Sequence, residues 1–197
     1  NSAMWDVFPS GTPGLEWLVS WFGGSNTFES SPRPAVAPLE LHRGVNGWLT
    51  SGTGNNQYAE LDSDWFGPSG TLNNEPASVA IWQNIPTIPG KNYRLSFDFS
   101  PRPGTDATQN VLGVLWGGGA VGTPISGAGG NNTSWKTHTF NLTATTSLTS
   151  LMFRDEGTPD SLGTFLDNVS LYCEDKPVDQ CTYGTQVFYS DTDHKVG

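Results

Sequence analysis

Asn92-Tyr93-Arg94-Leu95-Ser96-Phe97-Asp98-Phe99-Ser100 is the stretch on which the reading of the fold turns. Tyr93, Leu95, Phe97 and Phe99 alternate with Asn92, Arg94, Ser96 and Asp98, a period of two that gathers the apolar side chains on one face of a strand. Pro89-Gly90 opens the strand and Pro101-Arg102-Pro103-Gly104 closes it, as turn chemistry requires. Working outward, residues 16–22, 39–43, 57–62, 79–85, 111–116, 135–142, 148–154 and 165–172 read as strands in the same way, with a weaker one at 186–189. No segment of ten or more residues carries an amphipathic helical stripe. The pattern predicts an all-β fold of about nine or ten strands, an antiparallel β-sandwich of jelly-roll type. Helix should stay under about 10% of the chain, well below the globular base rate. Residues 1–14 lead into this fold, residues 1–172 make up the sandwich, and residues 173–197 form an extension or the start of a following domain.

Composition narrows the function classes. The 197 residues carry 9 Lys+Arg against 19 Asp+Glu, a formal charge of −10, so the clustered cations that phosphate binding needs are missing and nucleic acid is not an expected partner. Gly 24 and Pro 14 fit a turn-rich chain with few helices. No apolar run approaches the roughly 18 residues of a membrane span. Residues 1–17 have no basic stretch followed by an apolar one, so the chain reads as a mature or excised segment. The two cysteines, Cys173 and Cys181, lie too far apart for a CxxC metal or redox motif. A local disulfide is the expectation, worth about 2–3 kcal/mol, with two buried thiols as the alternative. A disulfide would suit an extracytoplasmic setting, extracellular or at the cell surface.

A family resemblance emerges from motifs in order. They are Trp5-Asp6-Val7-Phe8-Pro9, Leu39-Glu40-Leu41-His42-Arg43, Gln57-Tyr58-Ala59-Glu60-Leu61-Asp62-Ser63, Ile81-Trp82-Gln83, the Pro89–Gly104 strand with its turns, and Phe165-Leu166-Asp167-Asn168-Val169-Ser170-Leu171. Over about residues 5–172 the chain resembles the galactose-binding-like β-sandwich domains of secreted bacterial surface proteins and plant cell-wall proteins. It is similar, more loosely, to jelly-roll carbohydrate-binding modules. The resemblance implies a sugar- or wall-binding role, although one fold hosts many functions. It also implies a structural calcium. The opening strand that often helps to bind that ion, reading like Asn-Gly-Ser-Phe-Glu, does not occur before Trp5.

Three groups of residues could carry chemistry. By alternation Phe165, Asp167, Val169 and Leu171 share a core-facing side, which makes Asp167 an inward carboxylate. It needs a cation, a salt bridge (Arg154 being near in sequence) or loop amides. Calcium suits it, and the resemblance favours that reading. Glu60 and Asp62 share a face with Tyr58, and two carboxylates at i and i+2 could hold calcium, accept sugar hydroxyls or lie on a solvated face. Catalysis is a weak reading of that spacing, since glycosidase pairs come from different strands across a cleft.

The third group is Trp48, Trp65, Trp82, Trp116, Tyr58, His42, Arg43 and Arg102. Exposed rings stack on pyranose C–H faces, and Arg or carboxylate groups hold the hydroxyls. Trp48 and Trp65 sit in Gly/Ser/Asn-rich loops that should leave them exposed. Trp82 should project from the polar side of a sheet, and Arg102 could pair with Asp98 or Asp106. The bland alternative is that such tryptophans fill the core.

No GxSxG, HExxH or GxxxxGK motif occurs, and the three histidines share no metal-ligand spacing. The expected function is therefore a noncatalytic carbohydrate-binding module, part of a larger secreted or surface protein. Trp48, Trp65, Tyr58, Glu60, Arg102 and Trp82 would bind a polysaccharide or glycan, and Asp167, Glu60 and Asp62 would hold structural calcium. The competing readings are an adhesive or structural surface domain and, more remotely, a polysaccharide-acting enzyme using Glu60, Asp62, Glu40 or Asp98.

Overall fold

A computed structural model describes residues 4–44, 48–51, 57–70 and 75–174. Strands are numbered in chain order. The first sheet runs β1 (Trp5–Pro9), β5 (Pro38–Arg43), β6 (Gln57–Glu60), β14 (Phe165–Cys173), β8 (Asn92–Ser100) and β12 (Lys136–Thr143). The second runs β10 (Gly119–Ala120), β9 (Val111–Trp116), β13 (Leu148–Asp155), β7 (Val79–Pro86) and β2 (Leu18–Trp21), with β11 (Ile125–Ser126) also on β9. A small hairpin, β3 (Thr27–Phe28) and β4 (Ser31–Pro32), stands apart. All pairings are antiparallel. From β7 to β9, and again from β12 to β14, successive strands change sheet at each step, the jelly-roll habit. The one helical turn among the described residues is a 3-10 turn at Gly67–Ser69, in line with the low helix content that the period-two pattern implies.

Alternation builds the core as the sequence suggests. Leu95, Phe97 and Phe99 of β8 join Leu39, Ala59 and Leu166 on the inner face of the first sheet. They meet Val79, Ile81, Leu112, Val114, Leu151 and Phe153 from the second. Phe97 and Phe153 cross edge to face with ring centroids 5.1 Å apart, a favoured aromatic geometry between the layers.

Two readings need correction. Residues 5–9 form an edge strand rather than a lead-in; Pro9, Gly11, Pro13 and Gly14 mark its end and had masked its own alternation. In β14 the register slips between Asp167 and Ser170, and Asn168 adopts a left-handed conformation at φ 49°. This bulge re-aims the strand. Leu166, Val169 and Leu171 face the core, while Asp167 turns to the outer face of the first sheet with Phe165. The weak strand at 186–189, Cys181 with its expected disulfide to Cys173, and most of the 173–197 extension lie outside the described residues. No helix among the described residues is long and apolar enough to cross a membrane.

Candidate functional site

The outer face of the first sheet carries the polar residues that alternation removes from the core. Glu40 and His42 of β5 lie opposite Glu60 and Tyr58 of β6, His42 opposite Trp5 of β1, and Glu60 opposite Phe165 of β14. All of these except Trp5 are buried. His42 Nε2 lies 2.7 Å from Glu40 Oε1 and 2.8 Å from Glu60 Oε2. Arg102 donates through Nη1 to both oxygens of Glu60, and the Gly163 amide donates to Glu60 Oε1 at 2.9 Å. The Asp64 amide donates to Glu40 Oε2 at 3.1 Å.

Burial and the neighbouring Glu60 charge push the Glu40 carboxyl up to about 7. Burial alone would also raise Glu60, but the Arg102 guanidinium and the His42 hydrogen bond outweigh it and hold the carboxyl below its usual range. For His42, burial opposes the imidazolium. Its hydrogen bonds to Glu40 and Glu60 win and carry it up to about 9. Charged pairs this deeply buried cost desolvation that only good partners offset.

Above this floor opens a cleft lined by Met4, Trp5, His42, Arg43, Trp48, Tyr58 and Arg102. Its space, mouth included, is about 370 Å³, at the small end of ligand pockets. His42 stacks on Tyr58 at 5.2 Å, with Trp5 and Trp48 near-parallel to it at 6.2 and 6.1 Å. Arg102 lies over the Trp48 ring at 5.1 Å. The short segment bearing Trp48 is pinned from below and from the side. Asp167 Oδ2 accepts the Ser51 amide and hydroxyl at 3.1 and 2.9 Å, and the Trp135 indole N–H donates to the Leu49 carbonyl at 2.6 Å.

Four of the six residues expected to bind sugar, Trp48, Tyr58, Glu60 and Arg102, thus converge on one cleft or its floor. The other two do not. Trp65 is 4% exposed and sits edge-on to Trp21, Phe28 and Phe66, so the loop expected to expose it instead folds it under neighbouring rings. Trp82 is half-buried on the outer face of the second sheet, beside Leu18 and Met152, on the side of the sandwich away from the cleft. Trp116 packs on Tyr93 and donates to the Thr143 carbonyl. Arg102 pairs with Glu60 rather than Asp98 or Asp106.

The sequence reading did not single out Trp5, Trp135 or Phe165 for this site. Trp5 was hidden by the lead-in reading of its strand. Phe165 was hidden by the expectation that it faces the core with Val169 and Leu171.

The expected calcium ligands do not gather either. Asp167 has its charge answered by the Ser51 and Asn168 amides and the Ser51 hydroxyl, while Arg154 pairs with Glu156. Among the described residues one group of three could hold a metal ion, Glu40, His42 and Glu60, whose ligand atoms lie within 4.8 Å of one another. Its imidazole nitrogen suits zinc better than calcium, and Arg102 already compensates both oxygens of Glu60.

No protein-family model matches the chain, and no curated protein does. Among solved structures it is similar to a family 35 carbohydrate-binding module from Clostridium thermocellum, at 10% identity and TM-score 0.44, covering 86% of this chain and 98% of that one. Family 35 module CBM35 from Paenibacillus barcinonensis matches at 14% and 0.38, covering 84% and 97%. An exo-beta-1,3-galactanase from Phanerochaete chrysosporium matches at 14% and 0.42, covering 84% of this chain but 29% of the enzyme. Likenesses this distant carry no argument about function, and the assignment to the β-sandwich rests on the strand pairing itself.

Proposed function

We propose that this domain is a noncatalytic carbohydrate-binding module of a secreted or cell-surface protein, and that its ligand is a polysaccharide or glycan. The observation that carries the reading is the cleft, where Trp5 and Trp48 present rings over one sheet face and the Arg102 guanidinium lies over Trp48. Rings of this kind take the C–H face of a pyranose, and fixed donors orient its hydroxyls. The same geometry speaks against hydrolysis. Glu40 and Glu60 lie beneath His42 and Arg102 and do not line the cleft, whereas a glycosidase needs both carboxylates against the scissile bond. In this reading the domain is one part of a larger extracellular protein and carries a stabilising calcium.

Titration calorimetry against a panel of cell-wall and algal polysaccharides tests the reading. Each sugar hydrogen bond replaces one to water, so affinity is modest. We expect dissociation constants of about 10 µM to 1 mM. Failure to bind any glycan would favour an adhesive or structural domain, and turnover of a glycan would make it an enzyme.

A further inference from the structure

An apolar band crosses the outer face of the second sheet, on the side of the sandwich away from the cleft. Register places Leu18 of β2 beside Trp82 of β7, Trp82 beside Met152 of β13, and Met152 beside Leu115 of β9, with Ala120 of β10 next in line. Trp82, Met152 and Leu115 are half-buried, and Leu18 is 45% exposed. Two further side chains widen the band. Phe22, just past β2 and under the Arg154 guanidinium, is 45% exposed, and Leu148 at the start of β13 is 58% exposed. Single exposed apolar residues are normal on a protein surface, whereas a contiguous band of them marks an interaction site.

Charge and order say what covers it. None of the 19 acidic residues holds an outward position on the strands of this sheet. Their one outward cation, Arg154, is paired with Glu156 at 2.6 Å. The outer face of the first sheet, in contrast, carries Glu40, Glu60, Asp98 and Asp167. Two copies of a chain of net charge −10 repel each other, and this face is where that repulsion is least. The band is also self-complementary. A two-fold axis lying between two stacked sheets, along the strands and midway between β7 and β13, sets Trp82 against Met152 of the partner subunit. The same axis sets Leu18 against Leu115 of the partner subunit. Methionine packs favourably on an aromatic ring, and sheets stack face to face about 10 Å apart in this way.

We propose that two copies of this chain dimerise back to back through the outer face of the second sheet. With strands about 4.8 Å apart and β7 and β13 each eight residues long, the face measures roughly 20 by 25 Å. That area stands at the low end of specific interfaces, which fits a dimer of micromolar strength. Each cleft stays open on the side turned away from the partner. In the carbohydrate-binding reading, on which this consequence alone rests, the dimer holds two glycan chains on opposite sides and leaves binding at each cleft unchanged.

Sedimentation equilibrium of the full chain, with reductant present and no glycan, tests the dimer. A monomer–dimer equilibrium with a dissociation constant of roughly 1–100 µM is expected. Salt at about 0.5 M screens the repulsion between the copies and should tighten it. Leu18→Lys and Met152→Lys each reduce the net charge of −10 by one unit, so neither acts by added repulsion. Each buries an ammonium against apolar side chains and should weaken the dimer at least about tenfold. Tyr172→Lys, at a 53% exposed position on the outer face of the first sheet, should leave it unchanged. Should Met152→Lys not fold, Leu18→Lys decides, since Leu18 is exposed in the single chain. A wild type that stays monomeric up to about 500 µM, five times the weakest constant expected, overturns the inference. So does a dimer that Leu18→Lys leaves intact, that Tyr172→Lys disrupts or that salt dissolves. Glycan binding by a chain that stays monomeric would sink the dimer and leave the cleft reading standing, and a dimer that binds no glycan would do the reverse.

Discussion

Glu40 and Glu60 face each other across β5 and β6, and both carboxylates reach a single nitrogen, His42 Nε2, at 2.7 and 2.8 Å. One cation between two buried anions, with Arg102 on the far side of Glu60, makes a nearly neutral floor under the aromatic cleft. The floor fixes the His42 ring, and the His42 ring sets the spacing of Trp5, Trp48 and Tyr58 around it.

The imidazolium has a pH signature. His42 titrates near 6.5 in the unfolded chain and is raised to about 9 in the fold. Protonation therefore stabilises the fold fully below about pH 6.5, and that contribution is lost as pH rises to about 9. Imidazole NMR should find His42 charged at pH 7.5, and Glu60→Gln should move its midpoint down. A midpoint near 6.5 in the wild type would contradict the buried ion triad.

Arg102 is the partner that makes Glu60 tolerable. Removing one member of a buried pair leaves the other uncompensated, so Arg102→Ala should destabilise by about 3–5 kcal/mol. Arg102→Lys should recover part of the loss, because lysine keeps the charge but not the planar fork. Urea denaturation checks this, and an Arg102→Ala variant as stable as wild type would refute the role.

Asp167 caps a loop. Asp167→Ala should cost about 1–3 kcal/mol by leaving the Ser51 and Asn168 amides unpaired. It should also loosen the segment that carries Trp48, weakening glycan binding without touching the ligand. At Asn168, whose φ is 49°, glycine should be tolerated while valine should destabilise, since β-branched residues avoid the left-handed region. Thermal melts of the three variants test the set.

What the sequence made legible follows from local rules. The alternation of Tyr93, Leu95, Phe97 and Phe99 fixes a strand and its buried face without knowledge of any partner, and the core formed accordingly. Tyr58 and Glu60 are likewise placed together by period two. The failures are where a non-local event overrides that period. A one-residue bulge at Asn168 moved Asp167 from one face of the sheet to the other, and no side-chain pattern announces it. Trp65 lies in a polar loop, yet rings more than thirty positions away in sequence cover it. The Glu60–Arg102 pair joins residues 42 apart, and only the folded sandwich brings them together.

Burial separates the tryptophans by role. Trp65→Ala should cost about 3–5 kcal/mol, as large-to-small changes in a packed core do. Trp48→Ala removes a half-buried ring at the cleft mouth and should cost distinctly less. Equal destabilisation of the two variants would place Trp48 in the core rather than at a ligand surface.

The cleft itself is tested most directly by calorimetric titration of the Trp48→Ala and Trp82→Ala variants with a polysaccharide that the wild type binds. The account predicts that Trp48→Ala, still folded, loses detectable binding, while Trp82→Ala, altered on the opposite sheet, binds as the wild type does. Undiminished binding by Trp48→Ala together with loss in Trp82→Ala would contradict it and move the site to the other face of the sandwich.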